Sequence, residues 1–300
     1  MSKYDEIILD PNDKLSSPIF NTQKQYGLSD NHVQLTTSEL VTAANEAGYL
    51  IYQRGCSKRR PKSLAKGLKQ ETAKHYFAAR PSDQTLNKLG LSTQLEYNGG
   101  PGRYSKAFPS VLLFNSHDGR TSLSVKTGLL EMVCSNGLVI WSQTFNQFRF
   151  NHVNISISVV KEAFIGLLDY LPTLLHIRNR LCEIPVTPAL ANEFAMRAIP
   201  LRWPTANIGE YSEYRIDPND IVNPRYSNQN GLTFYNLLNN VQRNLLNEDN
   251  FHVIHFNKGK KPLSRRVRKV RSFTRQEEIN TNLWRLTESF LAEIGQPLDD

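Results

Sequence analysis

Cysteine is scarce in this chain, and the three present, Cys56, Cys134 and Cys182, are odd in number, far apart and never in a CxxC pair. That usage argues against a disulfide framework or a paired-cysteine zinc site, and it makes a reducing cytoplasm the expected setting. Long apolar runs are missing too. Nothing approaches the roughly 18 consecutive apolar residues of a membrane span, and the opening MSKYDEIILDPND is polar and acidic. Neither a signal peptide nor membrane insertion is expected. No glycine spacing matches a Walker or Rossmann loop, so no cofactor is expected, and there is no zinc-finger or recognition-helix motif for base-specific readout. Internal repeats are also absent.

The most informative absence is local. Between Lys258 and Arg275 there is no acidic residue against nine basic ones, Lys258, Lys260, Lys261, Arg265, Arg266, Arg268, Lys269, Arg271 and Arg275. A second window, Arg54 to Arg80, sets nine basic residues, among them Lys58, Arg59, Arg60 and Lys62, against Glu71 alone. With a formal net charge of only +8 for all 300 residues, everything outside these windows is net acidic. Such polarisation suits a surface that faces a polyanion. A solvated linker would carry similar charge, but this run leads into a helical pattern, and guanidinium groups suit bidentate phosphate contacts. Phe256, Phe273 and Trp284 lie nearby and would stack on bases if exposed.

The apolar periodicity changes along the chain. Residues 1–34 read as an irregular arm, residues 35–152 as a sheet-rich region, and residues 153–300 as a helical region that carries the basic segment 258–275. The first helix is announced by Thr36-Thr37-Ser38-Glu39, a capping box, and should stop at Gly48. Short strands are expected over Tyr49–Gln53, His75–Ala79, Val111–Phe114, Thr121–Val125, Leu129–Val133, Leu138–Trp141 and Phe145–Phe150. Asn98 to Tyr104, rich in glycine, reads as an irregular loop or lid. After His152 an apolar stripe with a period of 3.6 runs to Leu181, broken or kinked at Pro172, and Thr187-Pro188 opens another helix that reaches about Ile199. Residues 202–230 read as loops, and helices return over Leu232–Leu246 and Glu277–Ile294. The expected class is α+β, a mainly antiparallel N-terminal sheet with a flanking helix, followed by a helical C-terminal half.

Val111 to Trp141 holds the densest set of reactive side chains. Two apolar runs close on polar turns, Asn115-Ser116-His117-Asp118-Gly119 and Cys134-Ser135-Asn136-Gly137. His117-Asp118 resembles the metal-binding HD dyad, but that site draws further ligands from helices and this pair sits in a predicted hairpin turn. Cys134 with His117 contains the residue types of a thiol hydrolase, whose chemistry requires imidazole within reach of the thiol. Turn-making explains Asn115, Asp118 and Asn136 directly, since these side chains bond their own backbone. Catalysis by His117, Asp118 and Cys134 is therefore the lesser expectation, and no metal is expected. His252 and His255, three apart in a strand, should point to opposite faces rather than form a ligand pair.

These two turn motifs, together with Gly128 and the closing pattern Arg268-Lys269-Val270-Arg271 and Asn280-x-Asn282-Leu283-Trp284-x-Leu286-x-Glu288, resemble the phage and plasmid-like proteins of unknown function related to the YfjQ and YafZ prophage proteins. The likeness extends over about residues 36–292. It implies a product of a phage or mobile element that acts in the cytoplasm of a bacterial host, and it supplies no reaction. The expectation from charge is a non-enzymatic DNA-binding accessory protein, in recombination, replication or DNA protection, that uses Lys58, Arg59, Arg60, Lys62, Arg265, Arg266, Arg268, Lys269 and Arg271 on phosphates. The alternatives are an anti-defence or host-takeover protein that binds an acidic host protein, and a hydrolase or nuclease centred on His117, Asp118 and Cys134. Oligomerisation is compatible with each.

Overall fold

The computed structural model describes residues 31, 33, 35–56, 75–91, 96–98, 104–116, 122–131, 148–206, 213–223, 233–246, 252–256, 261–270 and 273–298. The chain divides into two compact units, one of residues 1–94, 108–128 and 143–172, the other of residues 95–107, 129–142 and 173–300. The class is α+β, with an antiparallel sheet in the N-terminal half and helices mostly in the C-terminal half.

In the first unit, helix α1 (Thr37–Glu46) begins on the expected capping box. The Glu39 amide donates to the Thr36 hydroxyl at 3.2 Å while the Thr36 amide donates to the Glu39 carboxylate at 2.7 Å, so two orphan amides are satisfied reciprocally. The helix buries Leu40, Val41, Ala43 and Ala44 and ends where Gly48 takes a φ of +91°. That left-handed turn feeds strand β1 (Tyr49–Cys56), which pairs antiparallel with β2 (His75–Pro81) across a bulge between Ile51 and Gln53. A short helix, α2 (Asp83–Lys88), capped by Ser82, follows β2. The Thr85 hydroxyl in α2 donates to the Gly48 carbonyl at 2.9 Å, tying the helix to the turn.

Strands β4 (Tyr104–Asn115), β5 (Leu123–Glu131) and β6 (Phe148–Phe150) complete a path ordered β1-β2-β4-β5-β6, and β3 (Glu96–Asn98) pairs with the start of β4. Alternation aims Phe77, Ala79, Val111, Leu113, Leu123 and Val125 into one core with α1 and helix α3 (Ile157–Leu168). Phe164 is its centre: its ring lies 5.7 Å from Tyr49 and 6.4 Å from Phe77, and its carbonyl accepts from the Tyr49 hydroxyl at 3.1 Å. Burial, with a smaller push from Asp169, holds that hydroxyl protonated far above its ordinary range.

The second unit is mainly helical: α4 (Leu171–Glu183), which starts in the first unit, then α5 (Pro188–Arg202), α6 (Pro218–Val222), α7 (Phe234–Leu246) and α8 (Phe273–Glu293). All 13 residues of α7 are buried. Phe194, Phe234 and Phe290 join α5, α7 and α8 in an aromatic cluster with centroids 5.0, 5.2 and 6.1 Å apart. Two polar residues of α7 are spent on the neighbouring backbone: the Asn244 side-chain amide donates to the carbonyls of Asp220, Ile221 and Asn223, and Arg243 also donates to Asn223. They satisfy the carbonyl end of α6, which its own hydrogen bonds leave open.

Several expectations needed correction. β1 and β4 run longer than their apolar cores, because paired neighbours supply ladder bonds to polar residues such as Arg54 and Ser105. β5 is one strand where two were expected, carrying Gly128 within it. The 3.6-period stripe after His152 is broken next to Pro172, one of the two outcomes expected there, into the helices α3 and α4, with Pro172 in the first turn of α4, where a missing amide costs nothing. Residues 202–230 contain the short strand β7 (Tyr214–Arg215) and α6, and the basic segment contains a strand, none of which the composition announced. Asn98 and Tyr104, the ends of the expected lid, pair with each other, while residues 99–103 lie outside the described residues.

Gly48→Ala should destabilise the protein by about 2 kcal/mol, since alanine resists this backbone and its Cβ would meet the Thr85 hydroxyl that bonds the Gly48 carbonyl. Urea unfolding followed by circular dichroism measures the change.

Candidate nucleic-acid interface

A three-stranded antiparallel sheet in the second unit carries the basic segment. Its order is β7-β8-β9, with β8 spanning His252–His255 and β9 spanning Leu263–Arg266. The register sets Arg215 opposite Ile254, Ile254 opposite Ser264, and His252 opposite Arg266. Cross-strand partners share a face, so these five residues form one side of the sheet, and every one is exposed. The other side carries buried Val253, with Tyr214 and His255 stacked at 4.8 Å. His252 and His255 thus take opposite faces, as their spacing implied.

Three anchors hold the chain beyond β9. Val267 is buried, the Val270 amide donates to the Leu246 carbonyl at 2.7 Å, and the Gln276 side chain donates to the Val270 carbonyl. The fourth anchor is Arg202, at the end of α5. Its guanidinium donates to the Leu245 carbonyl at 2.6 Å and to the Arg268 carbonyl, and lies 4.5 Å above the Trp203 ring. Burial, and then the positive field of Arg275, weakens its hold on the proton, pushing it down to about 10, so it stays charged at neutral pH. Arg275 in turn donates to the carbonyls of Leu201 and Arg202 and pairs with Glu278 at 2.7 Å. Helix C-termini, with their excess of unpaired carbonyls, are where cations are held well.

The cations therefore sort into two groups. Arg180, Arg197 and Arg275 are in ion pairs with Glu183, with Glu193 and Glu293, and with Glu278. Lys261, Arg265, Arg268 and Lys269 are exposed and, among the described residues, their side chains make no ion pair or hydrogen bond. Arg266 is exposed too, beside His252. Acidic groups lie on the opposite flank: Glu213, which accepts from the Thr205 hydroxyl at 3.0 Å, and Asp217 and Asp220 around α6. The Asp220 carboxyl is raised above the ordinary range by burial and by Asp217, with His252 pulling it back.

Of the other candidate residues, Lys58, Arg59, Arg60, Lys62, Arg271, His117, Asp118, Gly119, Cys134, Asn136 and Gly137 lie outside the described residues. Asn115 and Ser116 are buried at the end of β4, where the Asn115 side chain donates to the Leu35 carbonyl at 3.4 Å and accepts from the Ser116 amide at 2.8 Å. Asn115 lies opposite His75, whose ring bonds the Thr37 hydroxyl at 2.7 Å, a buried polar contact that no sequence motif marked. Among the described residues no three His, Cys, Asp or Glu side chains gather to hold a metal ion, and no helix is long and apolar enough to cross a membrane. Trp284 is a core residue that donates to Glu288 at 2.8 Å, so it offers no stacking face to bases.

Residues 68–287 match the family model described as a domain of unknown function, DUF932. The chain belongs to the DUF932 family. The span of this DUF932 match takes in β2, β4 and β5 as well as the β7-β8-β9 sheet and the basic segment. The chain is 23% identical to the UPF0380 protein YfjQ of Escherichia coli (strain K12) over 239 residues, 77% of this chain and 81% of that protein. The UPF0380 protein YafZ of the same organism gives the same identity and coverage. No solved structure matches.

In this DUF932 chain, Arg202→Met should keep the stem on Trp203 while leaving two carbonyls without their donor. The expected cost is about 2 kcal/mol. Urea unfolding measures it, and hydrogen exchange should show faster amide exchange over residues 261–270.

Proposed function

We propose that this chain is a non-enzymatic nucleic-acid-binding accessory protein of a phage or related mobile element, acting in the cytoplasm of its host and holding DNA mainly through phosphate contacts. The observation that carries this reading is the set of unpaired, exposed cations Lys261, Arg265, Arg268 and Lys269 on a backbone pinned by Arg202, Val267 and Val270. Four cations left without carboxylates, while Arg180, Arg197 and Arg275 find theirs, favour an external polyanion over a solvated linker. Pinning matters because a segment already ordered gives up less freedom on binding. The likeness to phage and plasmid-like proteins favours the mobile-element setting.

Binding of this kind is sensitive to salt and largely indifferent to sequence, since each neutralised phosphate releases counterions. With duplex DNA, the triple variant Arg265→Ala, Arg268→Ala, Lys269→Ala should lower the slope of log K against log salt by roughly 2 to 3. Fluorescence anisotropy across a salt series measures it, and an unchanged slope or an absence of binding at low salt would sink the reading.

A further inference from the structure

Charge alone does not distinguish a duplex from a single strand, but the sheet beside the cations does. The exposed side of β7-β8-β9 combines Arg215, His252, Ile254, Ser264 and Arg266, and alternation places Phe256, next after β8, on the same side. The Arg215 guanidinium sits 5.6 Å from the Phe256 ring centroid, an arginine plane over an aromatic one. Ile254 is 37% exposed, although a strand with Val253 as its buried side would ordinarily turn polar residues outward. An imidazole, a guanidinium stacked over a ring and an aliphatic patch together offer flat and apolar area that base faces can cover, beyond what phosphate contacts alone require.

Charge is graded across the same side. Arg266 is the cation that β9 places on this side, the unpaired Arg268 and Lys269 follow it in the chain while Arg265 takes the Val253 side, and Glu213, Asp217 and Asp220 lie on the β7 and α6 side. A strand laid over the sheet therefore has one favoured orientation, with its phosphates along β9 and its bases inward over β8. Duplex DNA cannot use such a surface, because its base faces are stacked inside the helix; a single strand presents them.

Resting on the nucleic-acid reading above, we propose that this face binds single-stranded nucleic acid, with bases stacked on His252 and on the Arg215–Phe256 pair and phosphates held by the cations of β9 and the residues after it. From His252 to Phe256 the strand covers about 13 Å, room for about two or three bases, the number that sheet platforms of this kind commonly take.

The test is fluorescence anisotropy of the full chain at matched salt with three dye-labelled probes: an oligothymidylate, a duplex of the same length and a polyglutamate peptide. The single strand should bind about tenfold or more tighter than the duplex, and His252→Ala should weaken single-strand binding by about fivefold or more with the salt slope unchanged. His252→Trp should restore it, since an indole supplies a stacking face. His252 and Arg215 are exposed, so their replacement leaves the core intact, and circular dichroism verifies this. Equal affinity for single strand and duplex, or His252→Ala and Arg215→Ala both without effect, overturns the stacking inference while the phosphate reading stands. Tighter binding of polyglutamate than of either nucleic acid, or no nucleic-acid binding at all, overturns both.

Discussion

Complete burial of α7 is the constraint on which the second unit depends. A helix with Asn236, Asn239, Asn240, Gln242, Arg243 and Asn244 among its 13 buried residues has polar groups on every side, and each one taken from water requires a partner. Gln242 finds Asn280 on α8, while Asn244 and Arg243 find the carbonyl end of α6. The same requirement holds at the helix's own end. The Leu245 carbonyl takes Arg202 and the Leu246 carbonyl takes the Val270 amide, so satisfying α7 also fastens the segment that follows β9. The fold's internal demand and the positioning of the surface cations are therefore one set of bonds.

That economy explains how a strongly basic segment stays ordered without acidic neighbours. The cations that serve the fold are bound by carbonyls or carboxylates: Arg202 and Arg275 on helix ends, Arg197 between Glu193 and Glu293. The backbone of residues 267–270 is held by Arg202, by the Leu246 carbonyl and by the buried Val267 rather than by its charged side chains, which leaves Arg265, Arg268 and Lys269 free of internal duty among the described residues. A segment held through its main chain presents its side chains outward at little further entropic cost. The small sheet then adds apolar and aromatic area beside the charge, and the acidic α6 side gives the surface a direction.

The first unit shows a different division of labour. The motif that most resembled an active site begins with Asn115 and Ser116, and both are buried at a strand end, with Asn115 spent on the Leu35 carbonyl and the Ser116 amide. His75 across the ladder bonds Thr37 at the start of α1. These contacts join the start of α1 and the residue before its N-cap to two strand ends, a structural use of polar residues that sequence spacing alone cannot tell from catalytic use, because both require the same donors and acceptors at close range.

Local chemistry was legible in the residues. The capping box at Thr36 and Glu39, the stop at Gly48, the N-cap at Thr187 and the apolar stripes of α3, α7 and α8 each depend on neighbours within a few positions, so the chain's order states them. The excess of cations in residues 258–275 was legible for the same reason. What required the tertiary structure was every partnership between distant positions. β9 is a strand because β8 offers it a ladder, the two residues of β7 are a strand because they pair with the other edge of β8, and Trp284 is in the core because α8 packs there. Arg202, more than sixty residues from Arg268, gave no sign of its role, since an arginine at the end of a helix is unremarkable until the carbonyls it holds are in view. The sequence by itself determined the longer helices, the caps of α1 and α5 and where the charge lies. Tertiary contact decided which cations are spent and which face outward, because pairing energy depends on distances in space that no spacing along the chain encodes.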